Sequence, residues 1–453
     1  MLVFVFVLLY VAATSASPIE PGWFFSSLPS SIDGKTRVNA ASKTHTVYQN
    51  LWYHNQRYLA LLDSSSQDEQ RPKLKPELSQ NTGLVPFPVK DAKAFAKNLK
   101  AGWLPGNTLL LDFPFAAFPE NIGHWQETLV PVYNVMSSRD WLQEVQGNSK
   151  HIDTVFMLNL RREQLKGLDW VWEMLRLVLE PGMPTKGQSP TLLFYDQTEG
   201  LSATSWLAIE NAIVVNDRYI HPEGAAGFHT PELGQAFRKQ AFLDQKLLAP
   251  SKAPMTITLL SAHGGEEVIN RQELLGMLQE VGQKLGMRVR PYTVTPQAPF
   301  QSHLTAMART GLLVSRHGPM MASSIFLPPG AAVLELLPFN WNWKDFSRIY
   351  LNATRSLGDI HHFAWLARSA KFVRYRSENE SRYAHWTAAE CSSRECLEVH
   401  ATAAMVADVE TIKHILLKII PGLQKGKSVA QLRQAWPEAV QNSGGTGLWW
   451  DVA

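Results

Sequence analysis

The chain reads as an α/β protein whose second half is a doubly wound sheet, and three observations carry that reading. Short β-rich apolar runs alternate with segments of helical apolar spacing from residue 108 onward. The runs of the second half end in glycine-bearing turns. Of 453 residues, 45% are hydrophobic and 18% charged, enough to fill cores on both faces of a sheet and too apolar for a disordered chain. The length allows two or three domains.

In the first half, Thr108–Leu111, Val155–Leu160, Thr191–Tyr195 and Ala212–Val215 are strand-like, and Leu168–Leu179 is helical. The polar, proline-punctuated stretch from Ser64 to Gly83 is expected to be an exposed loop. The second unit begins after Ala249-Pro250 with the strand Met255–Leu260 and the turn Ser261-Ala262-His263-Gly264-Gly265. A helix over Asn270–Leu285 follows, with Leu274, Leu275, Leu278, Val281 and Leu285 on one face. Next come a strand at Arg288–Val294, a helix at Leu304–Arg309 and a buried strand at Gly311–Ser315. The turn Arg316-His317-Gly318-Pro319, a short helix through Phe326 and the strand Ala331–Leu337 complete the pattern. A last amphipathic helix carries Val409, Ile412, Leu416 and Ile419, and Pro421-Gly422 is expected to stop it. The division that results is residues 1–17 as a targeting segment, 18–250 and 251–425 as two α/β units, and 426–453 as a tail.

Charge and targeting narrow the function. Lys and Arg number 43 against 40 Asp and Glu, a net +3 that argues against nucleic acid or a polybasic membrane contact as partner. Residues 1–13, MLVFVFVLLYVAA, are uninterruptedly apolar and are followed by small residues and Pro18, the pattern of a secretory signal, cleaved or kept as a short anchor. Asn352-Ala-Thr354 and Asn379-Glu-Ser381 are candidate glycosylation sites in such a lumen. The two cysteines, Cys391 and Cys396, could close a small disulfide loop. Zinc held with His385 and His400 is the competing reading, and free thiols the third.

Ligands of a doubly wound sheet sit at the carboxyl ends of its strands. Arg316, His317 and Gly318 lie at one such end, with the amides of a following helix, and the combination suits a diphosphate. Glu335 stands near the end of the next strand, where it could accept hydrogen bonds from a ribose. His263 occupies the first turn of the same unit, facing the same crevice. The bland alternative is a tight turn with a solvated histidine. In the first half, Asn121-Ile-Gly-His124-Trp-Gln-Glu127-Thr128-Leu-Val-Pro131 would put His124 and Glu127 on one helix face, either as a general-base centre or as an ordinary surface turn. No G-x-S-x-G nucleophile elbow accompanies the His-Gly-Gly run, which removes the esterase reading. No Asp-X-Asp pair is present to hold a metal-bound diphosphate, so charge on a leaving diphosphate would fall to dipoles and basic side chains.

These segments together resemble the family 61 glycosyltransferases, which include plant β-1,2-xylosyltransferase, xylan arabinosyl- and xylosyltransferases, and animal O-GlcNAc transferases of the secretory pathway. Arg316-His-Gly-Pro-Met-Met-Ala-Ser-Ser-Ile-Phe-Leu-Pro-Pro-Gly-Ala-Ala-Val-Leu-Glu335 is similar to that family's HGAGL…FLPPGA…E segment. NIGHWQETLVP resembles its N..H...D...P helix, and ITLLSAHGGEEVINRQEL its strand-turn-helix segment. The similarity runs loosely from His124 to Ile420, and Gly318-Pro319-Met320 stands where the family has Gly-Ala-Gly. The resemblance implies a GT-B fold of two facing Rossmann-like domains and inverting, metal-independent transfer from a UDP-sugar. It implies a glycan or glycoprotein acceptor in the Golgi or ER lumen. It puts His317, Gly318 and Glu335 on the donor side and His124, with Glu127, on the acceptor side. No cofactor or metal is expected. The alternative from another class is a non-catalytic glycan-binding protein on the same scaffold, suggested by the bulk of Pro319-Met320-Met321.

Overall fold

The computed structural model describes residues 26–55, 57–63, 84–99, 101–113, 116–157, 159–183, 185, 189–197, 206–215, 227–262, 268–295, 297–341, 348–428, 431 and 446–449. The expected targeting segment at 1–17, the loop at 64–83 and His263 lie outside the described residues. Among those described, no helix is long and apolar enough to cross a membrane.

The α/β class holds, with two large sheets, the first mixed and the second mainly parallel, and a small two-stranded one. In the first, Ala101–Leu111 lies between Trp206–Val215 and Thr154–Met157, and Thr191–Phe194 follows at the edge, all in parallel register. The four strands expected here are therefore present, and Ala101–Leu111 begins seven residues earlier than its apolar end suggests. On the other side His45–His54 pairs antiparallel with Trp206–Val215 and with Arg57–Asp63. This antiparallel arm was not anticipated. His45–His54 is buried along nearly its whole length, so the alternation of buried and exposed positions that marks a half-buried strand is absent.

The second sheet runs Arg288–Val294, Thr256–Ala262, Leu312–Arg316, Ala332–Leu337, His361–Ala367, Thr446–Trp449. Its first five strands are parallel, and in chain order they stand second, first, third, fourth, fifth. That order reverses between Thr256–Ala262 and Leu312–Arg316, and a crevice opens at the carboxyl ends of strands flanking such a reversal. The turn after Leu312–Arg316 sits there. Ser315 pairs with Glu335 and Arg316 with Leu336, so these two strands are neighbours ending on one edge, as the right-handed crossover requires. Two expectations need correction. The helix Val409–Gln424 continues through Pro421, which lies in its last turn, so the missing N–H forfeits a single hydrogen bond near the helix end. Thr446–Trp449, placed in the tail, instead adds an antiparallel edge strand to the second sheet.

Between the sheets lies one continuous apolar layer. Trp125 and Leu129 of the first unit share it with Phe300, Met321 and Phe326 of the second. Arg238, on the helix Pro231–Asp244, is paired with Asp359 and donates to the Leu327 carbonyl at 2.9 Å. Asp169 Oδ2 accepts the Phe300 N–H at 2.6 Å, so a carboxylate of one unit caps a helix of the other.

Candidate active site

The approach to the first half of the site is tied down side chain by side chain. Asn159 Nδ2 donates to Asp112 Oδ1 at 2.6 Å, linking the carboxyl ends of two neighbouring strands. Phe113 stacks on Trp125 at 4.1 Å, and the Trp125 indole donates to the Pro119 carbonyl at 2.8 Å. Asn121 then caps the helix Ile122–Ser138 by accepting the His124 N–H at 3.1 Å. Pro131 lies inside this helix and leaves the Glu127 carbonyl without its usual N–H partner four residues on.

On the first turns of this helix His124 Nδ1 lies 3.3 Å from Glu127 Oε1, so the shared face expected from the spacing is real. The imidazole is 25% exposed and the carboxylate 6%, which puts His124 at the surface with Glu127 behind it. Thr128 takes no part: its hydroxyl donates to the His124 carbonyl at 2.9 Å.

Gly123 brings the two units into contact. A Cβ there would stand 2.5 Å from Tyr350 Oη and 3.1 Å from Pro319 Cα. Gly123→Val is therefore expected to push the helix terminus off the 317–319 turn and to lower stability by about 1–3 kcal/mol. Thermal denaturation checks the stability.

Across this contact, His317 lies between the rings of Trp341 and Tyr350, with centroids 4.8 and 5.1 Å away. Its Nδ1 is 2.5 Å from Glu335 Oε1, and His362 Nε2 is 2.9 Å from Glu335 Oε2. Burial works to raise the pKa of Glu335, but the charge and hydrogen bonds of His317 and His362 outweigh it and hold the carboxyl at about 2. Glu335 is thus ionised, 2% exposed and fully engaged. Both of its oxygens face imidazoles and the carboxylate is buried behind them, which places it out of reach of the ribose contact expected of it.

Arg316 is corrected as well. Its Nη2 donates to the carbonyls of Ala401 and Ala403 at 2.7 and 2.9 Å, which engages the guanidinium in binding the strand to the end of the helix Arg394–Thr402. The segment after the turn is a 3-10 helix, Pro319–Phe326, that offers fewer amides than expected: Pro319 has no N–H, and the Met321 N–H is spent on the Gly318 carbonyl at 3.0 Å. Gly318 is extended, and among the described residues a Cβ there would have only the Arg316 carbonyl, 4.0 Å away, as a neighbour. Met320 and Met321 are buried in the layer between the sheets, so their bulk is directed into the core.

Of the remaining expectations, Cys391 and Cys396 are joined in a disulfide. Asn379 is exposed, whereas Asn352 lies half-buried in the helix Ile349–Arg355 and its sequon partner Thr354 is fully buried. His362 and Tyr350 are the site residues that motif reading missed. A faint signal existed for the first: a histidine within an otherwise apolar parallel strand, HHFAWLA, must find a buried partner.

No protein-family model matches the sequence. The chain is similar to protein O-linked-mannose β-1,4-N-acetylglucosaminyltransferase 2 from several vertebrates, and the family 61 resemblance drawn from the motifs is thereby upheld. With the Tetraodon nigroviridis protein it shares 31% identity over 109 residues, 24% of this chain and 18% of that protein. With the Danio rerio protein the figures are 34% over 98 residues, 22% and 16%. With the Bos taurus protein they are 26% over 266 residues, 54% and 40%. The matches thus span less than half the length of these relatives.

Proposed function

Taking kinship with glycosyltransferases as the premise, we propose that this chain is an inverting, metal-independent glycosyltransferase of GT-B type. It would transfer one sugar from a UDP-sugar to a glycan or glycoprotein hydroxyl in the lumen of the secretory pathway. Xylose, GlcNAc and arabinose are the donors the family resemblance offers. The names of the relatives favour GlcNAc, with an O-mannosyl glycoprotein as acceptor.

The observation that carries this reading is the meeting of two chemically different turns from two different sheets. The His124–Glu127 pair opens one helix, and Gly123 beside it touches the Pro319 turn next to His317, at the order reversal of the second sheet. A base and an anion site held together by rigid elements are what group transfer requires.

In the proposed reaction the acceptor hydroxyl gives its proton to His124 as its oxygen attacks the anomeric carbon. Glu127, 3.3 Å behind the ring, stabilises the imidazolium that forms. The bond from the anomeric carbon to the diphosphate oxygen breaks with its electron pair leaving on UDP, opposite the attack, which inverts the centre. His317 and the positive end of the Ile122–Ser138 helix dipole receive that charge. The burial of Met320 and Met321 in the layer between the sheets supports the catalytic reading over the non-catalytic one.

The full-length chain, given an O-mannosyl peptide and each UDP-sugar in turn with EDTA present, is expected to yield a product heavier by one sugar, read by mass. Transfer that disappears with EDTA and returns with a divalent ion would overturn metal independence. Glycan binding without nucleotide affinity would overturn the enzyme reading in favour of a binding protein.

A further inference from the structure

Behind His317 stands a row of buried polar groups longer than the proposed reaction uses. Glu335 is 2% exposed, His362 4% and Thr354 0%. His362 Nε2 meets Glu335 Oε2 at 2.9 Å, and His362 Nδ1 lies 2.7 Å from Thr354 Oγ1. The same hydroxyl is 2.8 Å from the Tyr350 carbonyl, and the ring of Tyr350 lies against His317. The row therefore returns to the residue from which it started.

An ionised carboxylate only accepts hydrogen bonds, so each imidazole nitrogen facing Glu335 carries a proton. This makes Nδ1 of His317 the protonated nitrogen on the inner side and turns Nε2 outward. A second proton on Nε2 gives an imidazolium whose charge the buried carboxylate balances. Held by one histidine alone, Glu335 could rotate, and its other oxygen would be a buried acceptor without a donor. His362 removes both freedoms, and Thr354 in turn fixes the His362 ring.

We propose that His362, held by Thr354, is a positioning residue for recognition of a nucleoside diphosphate. It locks Glu335 so that His317 presents a charged Nε2–H donor to the diphosphate of the sugar nucleotide. The proposal rests on the glycosyltransferase reading of the crevice and deepens it. Among the described residues, the titratable and charged groups near His317 are Glu335 directly, His362 through it, the phenol of Tyr350 beside it, the adjacent Arg316, and the His124–Glu127 pair on the helix that meets the turn.

Two measurements on the full-length chain test this. Ring-nitrogen NMR of the nucleotide-free protein is expected to show His317 protonated at Nδ1, and Glu335→Gln to abolish that signature. Calorimetry with UDP across pH is expected to show affinity falling as the pH rises and the imidazolium is lost. His362→Phe, which keeps a ring but loses the N–H, should weaken UDP binding on the order of 10- to 100-fold and change the shape of that pH profile. His362→Gln, which can restore a donor to Glu335, should recover much of the loss, and Thr354→Val should fall between. A deprotonated Nδ1 with UDP still bound would overturn the inference and leave the transferase reading intact, as would a His362→Phe protein with wild-type affinity and pH profile. An intact Nδ1–H with no UDP affinity in the wild type would overturn both the nucleotide reading and the role assigned to His362.

Discussion

Glu335→Ala is expected to abolish measurable sugar transfer and to lower stability by about 3–5 kcal/mol, the range for breaking a buried charge pair by deleting one partner. The buried His362 and the half-buried His317 lose their common acceptor, and a void opens where the carboxylate stood. Chemical denaturation and a transfer assay on the same preparation would measure both. The acid limb of stability carries a separate signature. The carboxyl titrates at about 2 in the folded chain, below its ordinary 4.5, so its contribution is fully present above the ordinary value and is lost as the pH falls through about 2. Glu335→Gln, which cannot titrate, should flatten that part of the profile. An alanine variant with wild-type stability would show that the two histidines find other partners.

His124→Ala is the second large effect. Turnover is expected to fall about 10²- to 10⁴-fold, the usual contribution of a positioned general base, while UDP affinity stays close to wild type. The imidazole is the exposed member of its pair and the carboxylate the buried one, so Glu127→Gln should depress turnover by a smaller factor, again without changing UDP affinity. Single-turnover kinetics with saturating donor, set beside calorimetry, separates the two quantities. Full activity in His124→Ala would move the base elsewhere in the crevice. Full activity in Glu127→Gln with a slow His124→Ala would leave the histidine acting without help from its neighbour.

Four of the six strands of the second sheet were legible because they are short, parallel and each ends at a turn or an amphipathic helix, whereas His361–Ala367 and Thr446–Trp449 were not anticipated. Arg288–Val294 is found where it was expected, and Thr256–Ala262 and Leu312–Arg316 lie within a residue or two. The His124–Glu127 pairing was legible for a similar reason, since residues three apart on a helix face one way whatever surrounds them. The antiparallel strands His45–His54 and Arg57–Asp63 were not, because burial on both faces erases the period of two. Arg316 and Glu335 were recognised as important residues but given the wrong partners. Position at a strand end tells which edge a residue occupies, and it does not tell whether the side chain turns toward the crevice or toward the helices behind it.

From its sequence alone this protein's α/β class, four of the six strands of its second sheet and its family resemblance were determined, because local spacing and turn residues act over a few positions of chain. Only the tertiary structure decided that Gly123 touches the turn at Pro319, that Arg316 caps a helix, and that Glu335 is clasped by histidines 18 residues before it and 27 after it. Those contacts depend on how separate elements pack, and the low dielectric that such packing creates makes a buried carboxylate take whatever donors the fold brings within reach.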